Sequence, residues 1–185
     1  MTRVILASKS PRRKELLSLL NIPFDIIVSE IEEHIDENND LVKEIEKLSL
    51  QKAEAVYKDH EDGLVIGSDT IVKIGNIALG KPHTEEKAKE MLRLLSGNTH
   101  EVVTAVTIIH NDERETFSNI ARVSFYDMSE EEIDEYVATK EPLDKAGAYA
   151  IQGNASKYIK SVEGDYYTIV GLPVGELYHR LKKYL

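Results

Sequence analysis

Leu64-Val65-Ile66-Gly67-Ser68-Asp69-Thr70-Ile71-Val72-Lys73-Ile74-Gly75-Asn76-Ile77-Ala78-Leu79 is the stretch whose reading decides the fold. Residues 64–74 read as a strongly apolar strand, interrupted only by Gly67-Ser68-Asp69-Thr70. Gly75-Asn76 is a two-residue hairpin turn that returns the chain through residues 77–79. Around this stretch strands and helices interleave. Hairpins inside such an order predict an α/β fold with a mixed sheet and flanking helices, not a purely parallel one.

Upstream, residues 4–7 read as a short buried strand and Ser8-Lys9-Ser10-Pro11 breaks it. Residues 12–20 follow as a helix with Leu16, Leu17 and Leu20 on one face. Residues 24–28 are a second strand and 29–39 an acidic loop. Asp40 caps a helix to about residue 59, with Leu41, Ile45, Leu48, Ala55 and Val56 along its stripe. Downstream, Thr84 caps a helix to residue 95, with Glu85 and Glu86 where the helix dipole favours acids, and Ser96-Gly97 stops it. Residues 102–109 predict a central strand and 115–126 a paired one. Ser129 and Glu132 form a capping box for a helix to residue 139. Residues 140–153 are irregular and rich in Gly and Ala. Residues 158–162 and 166–170 are expected to form a second hairpin around Glu163-Gly164-Asp165, and 175–185 a closing helix. No repeat or linker divides the chain, so residues 1–185 are expected to form a single domain, with or without two lobes.

Composition narrows the function. The chain has 185 residues, no Cys and no Trp, so it holds no disulfide framework, thiolate metal site or Cys nucleophile. No apolar run approaches the roughly 18 residues that span a membrane, and residues 4–7 are too short for a signal peptide. A soluble, cytoplasmic protein is the expectation. Twenty-three basic and 33 acidic side chains give a net charge of −10, which argues against a sequence-independent nucleic-acid binder. It leaves room for one small anion, because a local Arg and Lys cluster outweighs the global field at short range.

Three places break local rules, and such conflicts tend to mark sites. At Ser8-Lys9-Ser10-Pro11-Arg12-Arg13, Ser10 is a good N-cap, but two positive charges follow where the helix dipole prefers acids. An anion bound there would resolve the conflict, and an exposed Arg pair is the plain alternative. Asp69 lies inside an apolar strand, where an unpaired carboxylate is costly. It must pair with a cation, bind a metal or face a ligand, and Gly67 beside it allows close approach. Residues 140–153 mix charges, small residues and Gln152, which suits either a ligand or an irregular connection held by ion pairs. By pattern alone Glu32 and Glu33 read as a solvated acidic run, Lys52 as a surface residue of its helix and Lys81 as part of a turn. The six His show no metal-ligand spacing, and no phosphate-loop, nucleophile-elbow or dinucleotide motif is present.

In order, the chain carries Ala7-Ser8-x-Ser10-Pro11-Arg12-Arg13, Glu32-Glu33, Gln51-Lys52-Ala53, Gly67-Ser68-Asp69-Thr70, Gly80-Lys81-Pro82 and Leu95-Ser96-Gly97. Asp144-Lys145-Ala146-Gly147-Ala148-Tyr149-x-Ile151-Gln152-Gly153, Gly164-Asp165-Tyr166 and Gly171-Leu172-Pro173 follow. This ordered set resembles the Maf family of nucleoside triphosphate pyrophosphatases over nearly the whole chain. Ser68 stands where that family often has Ala. The resemblance implies two lobes around a deep cleft, similar to the inosine triphosphate pyrophosphatase fold. It implies hydrolysis of a nucleoside triphosphate to monophosphate and pyrophosphate with Mg²⁺ or Mn²⁺, nucleotide-pool housekeeping, a link to septum formation, and relatives that are often homodimers. Arg12, Thr70 and Gln152 look like the residues of the subgroup that prefers dTTP and UTP.

With the resemblance, Asp69, Lys81 and Lys52 become the catalytic candidates. Ser8, Arg12, Arg13, Thr70 and Gln152 become the substrate-binding ones, and Glu33 with Asp69 the metal ligands. Asp69 is the expected general base and Ser8 an expected donor to a phosphate oxygen. Gln152 both donates and accepts, which suits a pyrimidine edge. Asp144 and Lys145 are as well explained by local pairing as by ligand contact. The competing readings are a pyrophosphatase for modified purine nucleotides and a non-catalytic regulator that binds a partner or nucleic acid.

Overall fold

The computed structural model describes residues 2–28 and 30–185. Met1, and Ser29 at the head of the expected acidic loop, lie outside the described residues. The chain forms two compact units. The first draws on Met1–Asp69, Thr104–Asn119 and Gly171–Leu185, the second on Thr70–Val103 and Ile120–Val170.

Its strands are β1 (Val4–Leu6), β2 (Phe24–Ile26), β3 (Leu64–Ile74), β4 (Ile77–Leu79), β5 (Thr99–His110), β6 (Glu113–Phe125) and β7 (Ile159–Glu163). They form one seven-stranded sheet in the order β2-β1-β3-β5-β6-β7, with β4 paired to β3. β1 runs parallel to β2 and β3, while β4 returns antiparallel along β3 and β7 along β6. The mixed sheet expected from the 64–79 stretch is therefore present. The helices are α1 (Pro11–Ser18), α2 (Leu41–Tyr57), α3 (Glu85–Leu95), α4 (Glu130–Ala138), α5 (Tyr166–Val170) and α6 (Val174–Leu181). None of the described helices is long and apolar enough to cross a membrane.

In the first unit, α2 lays Leu41, Ile45, Leu48, Ala53 and Val56 against the sheet, and Ile5, Val65 and Ile109 meet that face. In the second, Ala88, Leu92 and Leu95 of α3 recur at helical spacing and pack with Ile133, Tyr136 and Val137 of α4 over Val102 and Val123. The caps act as expected. Asp40 accepts from Val42 N and Lys43 N, Thr84 from Lys87 N, and Ser129 with Glu132 closes its capping box.

One element is corrected. Residues 166–170 are not the second arm of a hairpin but the helix α5. Tyr-Tyr-Thr-Ile-Val has strand-like composition. Asp165 overrides it by taking the capping position, with its carboxylate accepting from Thr168 N at 2.8 Å and from Thr168 Oγ1 at 2.7 Å. β7 instead pairs backward with β6, Val162 opposite Val123. Asn111 and Asp112 both take positive φ, 49° and 62°, and join β5 to β6 in a two-residue connection.

Candidate active site

Within the first unit, β1, β2 and the Leu64–Ile66 part of β3 run parallel, so the chain passes beyond this pairing on one side of it, the side where open α/β sheets place ligands. Each contributes a site residue there. The Ser8–Ser10 turn follows β1, and Glu33 comes from the segment after β2. Asp69 lies three residues beyond Ile66, the last position of β3 paired with β1.

Lys52 holds the centre. Its ammonium is 2.7 Å from Asp69 Oδ2 and 2.9 Å from Glu33 Oε1. The Lys52 and Asp69 side chains are only 17% and 14% exposed, and Glu33 is 55% exposed. The surface role expected for Lys52 is therefore wrong, and Glu33 is an ion-pair partner rather than part of a free acidic run. Asp69 takes the first of the outcomes open to it, a cation partner. Gly67 makes this possible. A Cβ there would stand 2.5 Å from Ser49 O and 2.8 Å from Ala53 N, the backbone on either side of Lys52. The missing side chain lets α2 approach β3 closely enough for Lys52 to reach Asp69.

Arg13 lies beside this bridge. Its Nε donates to Gly171 O at 2.9 Å and its Nη1 to Ser8 Oγ at 3.4 Å. Burial pulls its pKa below the ordinary arginine value and Arg12 adds to this, whereas the charges of Asp69 and Glu33 hold the proton on. Ser8 is buried, and its Oγ also accepts from Ser10 N at 3.2 Å. Ser8 thus orients Arg13, a contact that its expected role as a phosphate donor did not include. Ser10 caps the helix as expected, its Oγ accepting from Arg13 N at 3.4 Å. The first turn carries no acid, so the charge conflict read there is real. Arg12 is half-buried and forms no ion pair among the described residues.

Thr70, Lys81 and Gln152 belong to the second unit. Thr70 is half-buried, and Lys81 and Gln152 are exposed. The irregular 140–153 segment organises its own surroundings. Gly147 N donates to Gly80 O at 3.2 Å and His83 N to Leu143 O at 3.0 Å, which pins the turn bearing Lys81. Tyr149 Oη bonds His100 Nε2 at 2.6 Å. Asp144 pairs with Lys145 at 2.6 Å.

Two carboxylates reaching one positive centre within 3 Å offer a pair of hard oxygen donors. Mg²⁺ and Mn²⁺ are commonly held by one or two carboxylates, with phosphate and water completing the shell, so Glu33 and Asp69 fit such an ion. The described residues contain no group of three or more His, Asp or Glu placed to hold a metal without such help.

Beside the parallel β2-β1-β3 strands of the first unit, the start of α1 brings Arg12 and Arg13, α2 brings Lys52, the segment after β2 brings Glu33, and β3 itself carries Asp69. The family described as Maf-like protein matches residues 3–184, and the chain belongs to it. It is 52% identical over 184 residues to the dTTP/UTP pyrophosphatase of Bacillus cereus strain B4264, across 100% of this chain and 96% of that protein. The dTTP/UTP pyrophosphatase of Bacillus mycoides strain KBAB4 is also 52% identical, with the same coverage. Among solved structures, a nucleoside-triphosphatase / dITP/XTP pyrophosphatase from Mycobacterium abscessus aligns with 75% of this chain and 95% of its own. The TM-score is 0.43 and the identity 14%.

Proposed function

We propose that this chain is a pyrophosphatase that hydrolyses dTTP and UTP to the nucleoside monophosphate and pyrophosphate, in a cytoplasmic nucleotide pool. The Lys52 bridge carries the reading, one ammonium shared by Asp69 and Glu33 beside a half-buried Arg13. It supports a polyanion site in a chain half-identical to proteins of that name.

Arg12, Arg13 and Lys52 bind the phosphates, with Lys81 as a further cation. Ser8 and the Gly171 carbonyl fix the plane of the Arg13 guanidinium. Asp69 accepts a proton from the water that attacks the α-phosphorus. The α–β phosphoanhydride bond breaks, its electron pair leaves with pyrophosphate, and the basic side chains stabilise the charge that gathers there. Glu33 and Asp69 would hold the divalent cation, which when bound neutralises phosphate charge. Gln152 reads the pyrimidine edge through its carbonyl and amide, and Thr70, next in sequence to Asp69, acts with it in base selection.

Pyrophosphate release from dTTP, UTP, CTP, dCTP, ATP, GTP, ITP and 7-methyl-GTP, with Mg²⁺ or Mn²⁺ and then with EDTA, tests this. Release from dTTP and UTP that EDTA abolishes is expected. Release confined to purine nucleotides overturns the substrate assignment, full activity in EDTA overturns the cation, and silence from folded protein overturns the activity.

A further inference from the structure

The turn at residues 151–153 holds Gln152 at its tip, with the side chain exposed. An exposed amide discriminates between bases only if its backbone is held still, because recognition by hydrogen bonds depends on placement to a fraction of an ångström. The turn is held at both ends by one pair of side chains. Ala150 N donates to Tyr136 Oη at 3.3 Å, and Asn154 N donates to Glu141 Oε1 at 3.3 Å. Tyr136 Oη donates to Glu141 Oε2 at 2.6 Å, which joins the two clamps.

The pair is anchored in turn. Tyr136 is buried in α4 and packs against Tyr158. After α4, Lys140 adopts a left-handed conformation with φ 65°, and Glu141 opens a short 3₁₀ turn. Gly153 leaves the space the carboxylate occupies. A Cβ there would stand 2.7 Å from Glu141 Cδ and 2.8 Å from Oε2. The backbone at Gly153, φ −148°, is open to any residue, so the glycine serves the carboxylate rather than the chain's path. A carboxylate tucked beneath a turn gives up hydration, which its bonds to Tyr136 and Asn154 offset.

We propose that Tyr136 and Glu141 are positioning residues for Gln152, and that through it they set which base this protein accepts. The proposal rests on the reading of Gln152 as the base-recognition residue. Both act through the turn and neither touches the nucleotide.

The test compares kcat/KM for dTTP with that for CTP in Glu141→Ala, Glu141→Gln, Gly153→Ala, Gln152→Ala and the double variant Glu141→Ala/Gln152→Ala, with the Tm of each. Glu141→Ala and Gly153→Ala are expected to lower the dTTP:CTP ratio about tenfold, the scale of one lost recognition bond. Glu141→Gln keeps an acceptor for Asn154 N and should hold the ratio within about threefold of the unaltered protein. The double variant should discriminate no worse than Gln152→Ala alone, since Glu141 works only through that side chain. A lowered Tm with an unchanged ratio in Glu141→Ala and Gly153→Ala means a brace of stability only and overturns the proposal, as does additive loss in the double variant. If Glu141→Ala does not fold, Gly153→Ala decides by the same ratio. If Gln152→Ala leaves the ratio unchanged, the assignment of Gln152 itself fails and the proposal falls with it.

Discussion

Lys52 is held from two sides, by Asp69 at 2.7 Å and Glu33 at 2.9 Å, so charge at one carboxylate can be removed without stranding the ammonium. In Asp69→Asn the amide oxygen still accepts from Lys52 and Glu33 still neutralises it. We expect a stability loss of about 1 kcal/mol, the scale of one weakened hydrogen bond. Turnover should fall by about 10²–10⁴, the usual contribution of a general base. Pyrophosphate release and thermal melts on the same preparation check both halves, and turnover within threefold of the unaltered protein removes the general-base role. Asp69 was legible because an acid in an apolar strand conflicts with its surroundings. By pattern Lys52 was not, because its place on α2 is like that of any solvent-side lysine; only the family resemblance singled it out, and the packing of α2 on β3 is what brings it to its partner. The Gly171 carbonyl that holds Arg13 was less legible still, since a backbone acceptor leaves no trace in side-chain pattern.

At the scale of elements, the spacing between α2 and β3 sets the site. Gly67→Ala places a methyl group against backbone atoms of Ser49 and Ala53, which cannot rotate away as a side chain could. Overpacking of this kind costs about 1–3 kcal/mol, relieved by moving the helix outward. That motion carries Lys52 from Asp69, so kcat/KM is expected to fall at least tenfold as well. Ile133→Val, in the core of the other unit, costs a comparable 0.5–1.5 kcal/mol or so and should leave kcat/KM unchanged. Equal activity of Gly67→Ala and Ile133→Val at matched stability would sink the link between this packing and the reaction. Long, strongly patterned elements such as α2, α3 and β3 were legible to within a few residues. The strand expected at 166–170 failed because β-branched and aromatic residues suit a sheet. The deciding feature, an Asp three residues before Thr168, is a capping signal set against composition.

For the whole molecule, the division into two units left no mark in the residue pattern because three of its four boundaries fall inside β3, β5 and β6, and the fourth in the short connection between α5 and α6. Stability against acid is a property of this scale. Buried His100 has its Nε2 against Tyr149 Oη, and its Nδ1 has no hydrogen-bond partner among the described residues. Burial lowers its pKa from 6.5 to about 4. A group whose folded pKa lies below its unfolded one favours the fold above the unfolded value, and that contribution is lost as pH falls toward the folded value. Between about pH 6.5 and pH 4 the unfolded chain therefore takes up a proton that the folded chain refuses. Stability should drop on the order of 3 kcal/mol across that window. Carboxylates held low by hydrogen bonds and nearby charges, such as Glu115 bonded to Lys183 and Arg180, add their loss only further down, as pH falls below the ordinary carboxylate range. Denaturant midpoints at pH 7, 6, 5 and 4.5 for the unaltered chain and for His100→Gln separate the two. Glutamine keeps a polar partner for Tyr149 without titrating, so its midpoints should stay nearly flat down to pH 5 while the histidine protein's fall. Parallel slopes for both would place the acid sensitivity elsewhere than His100.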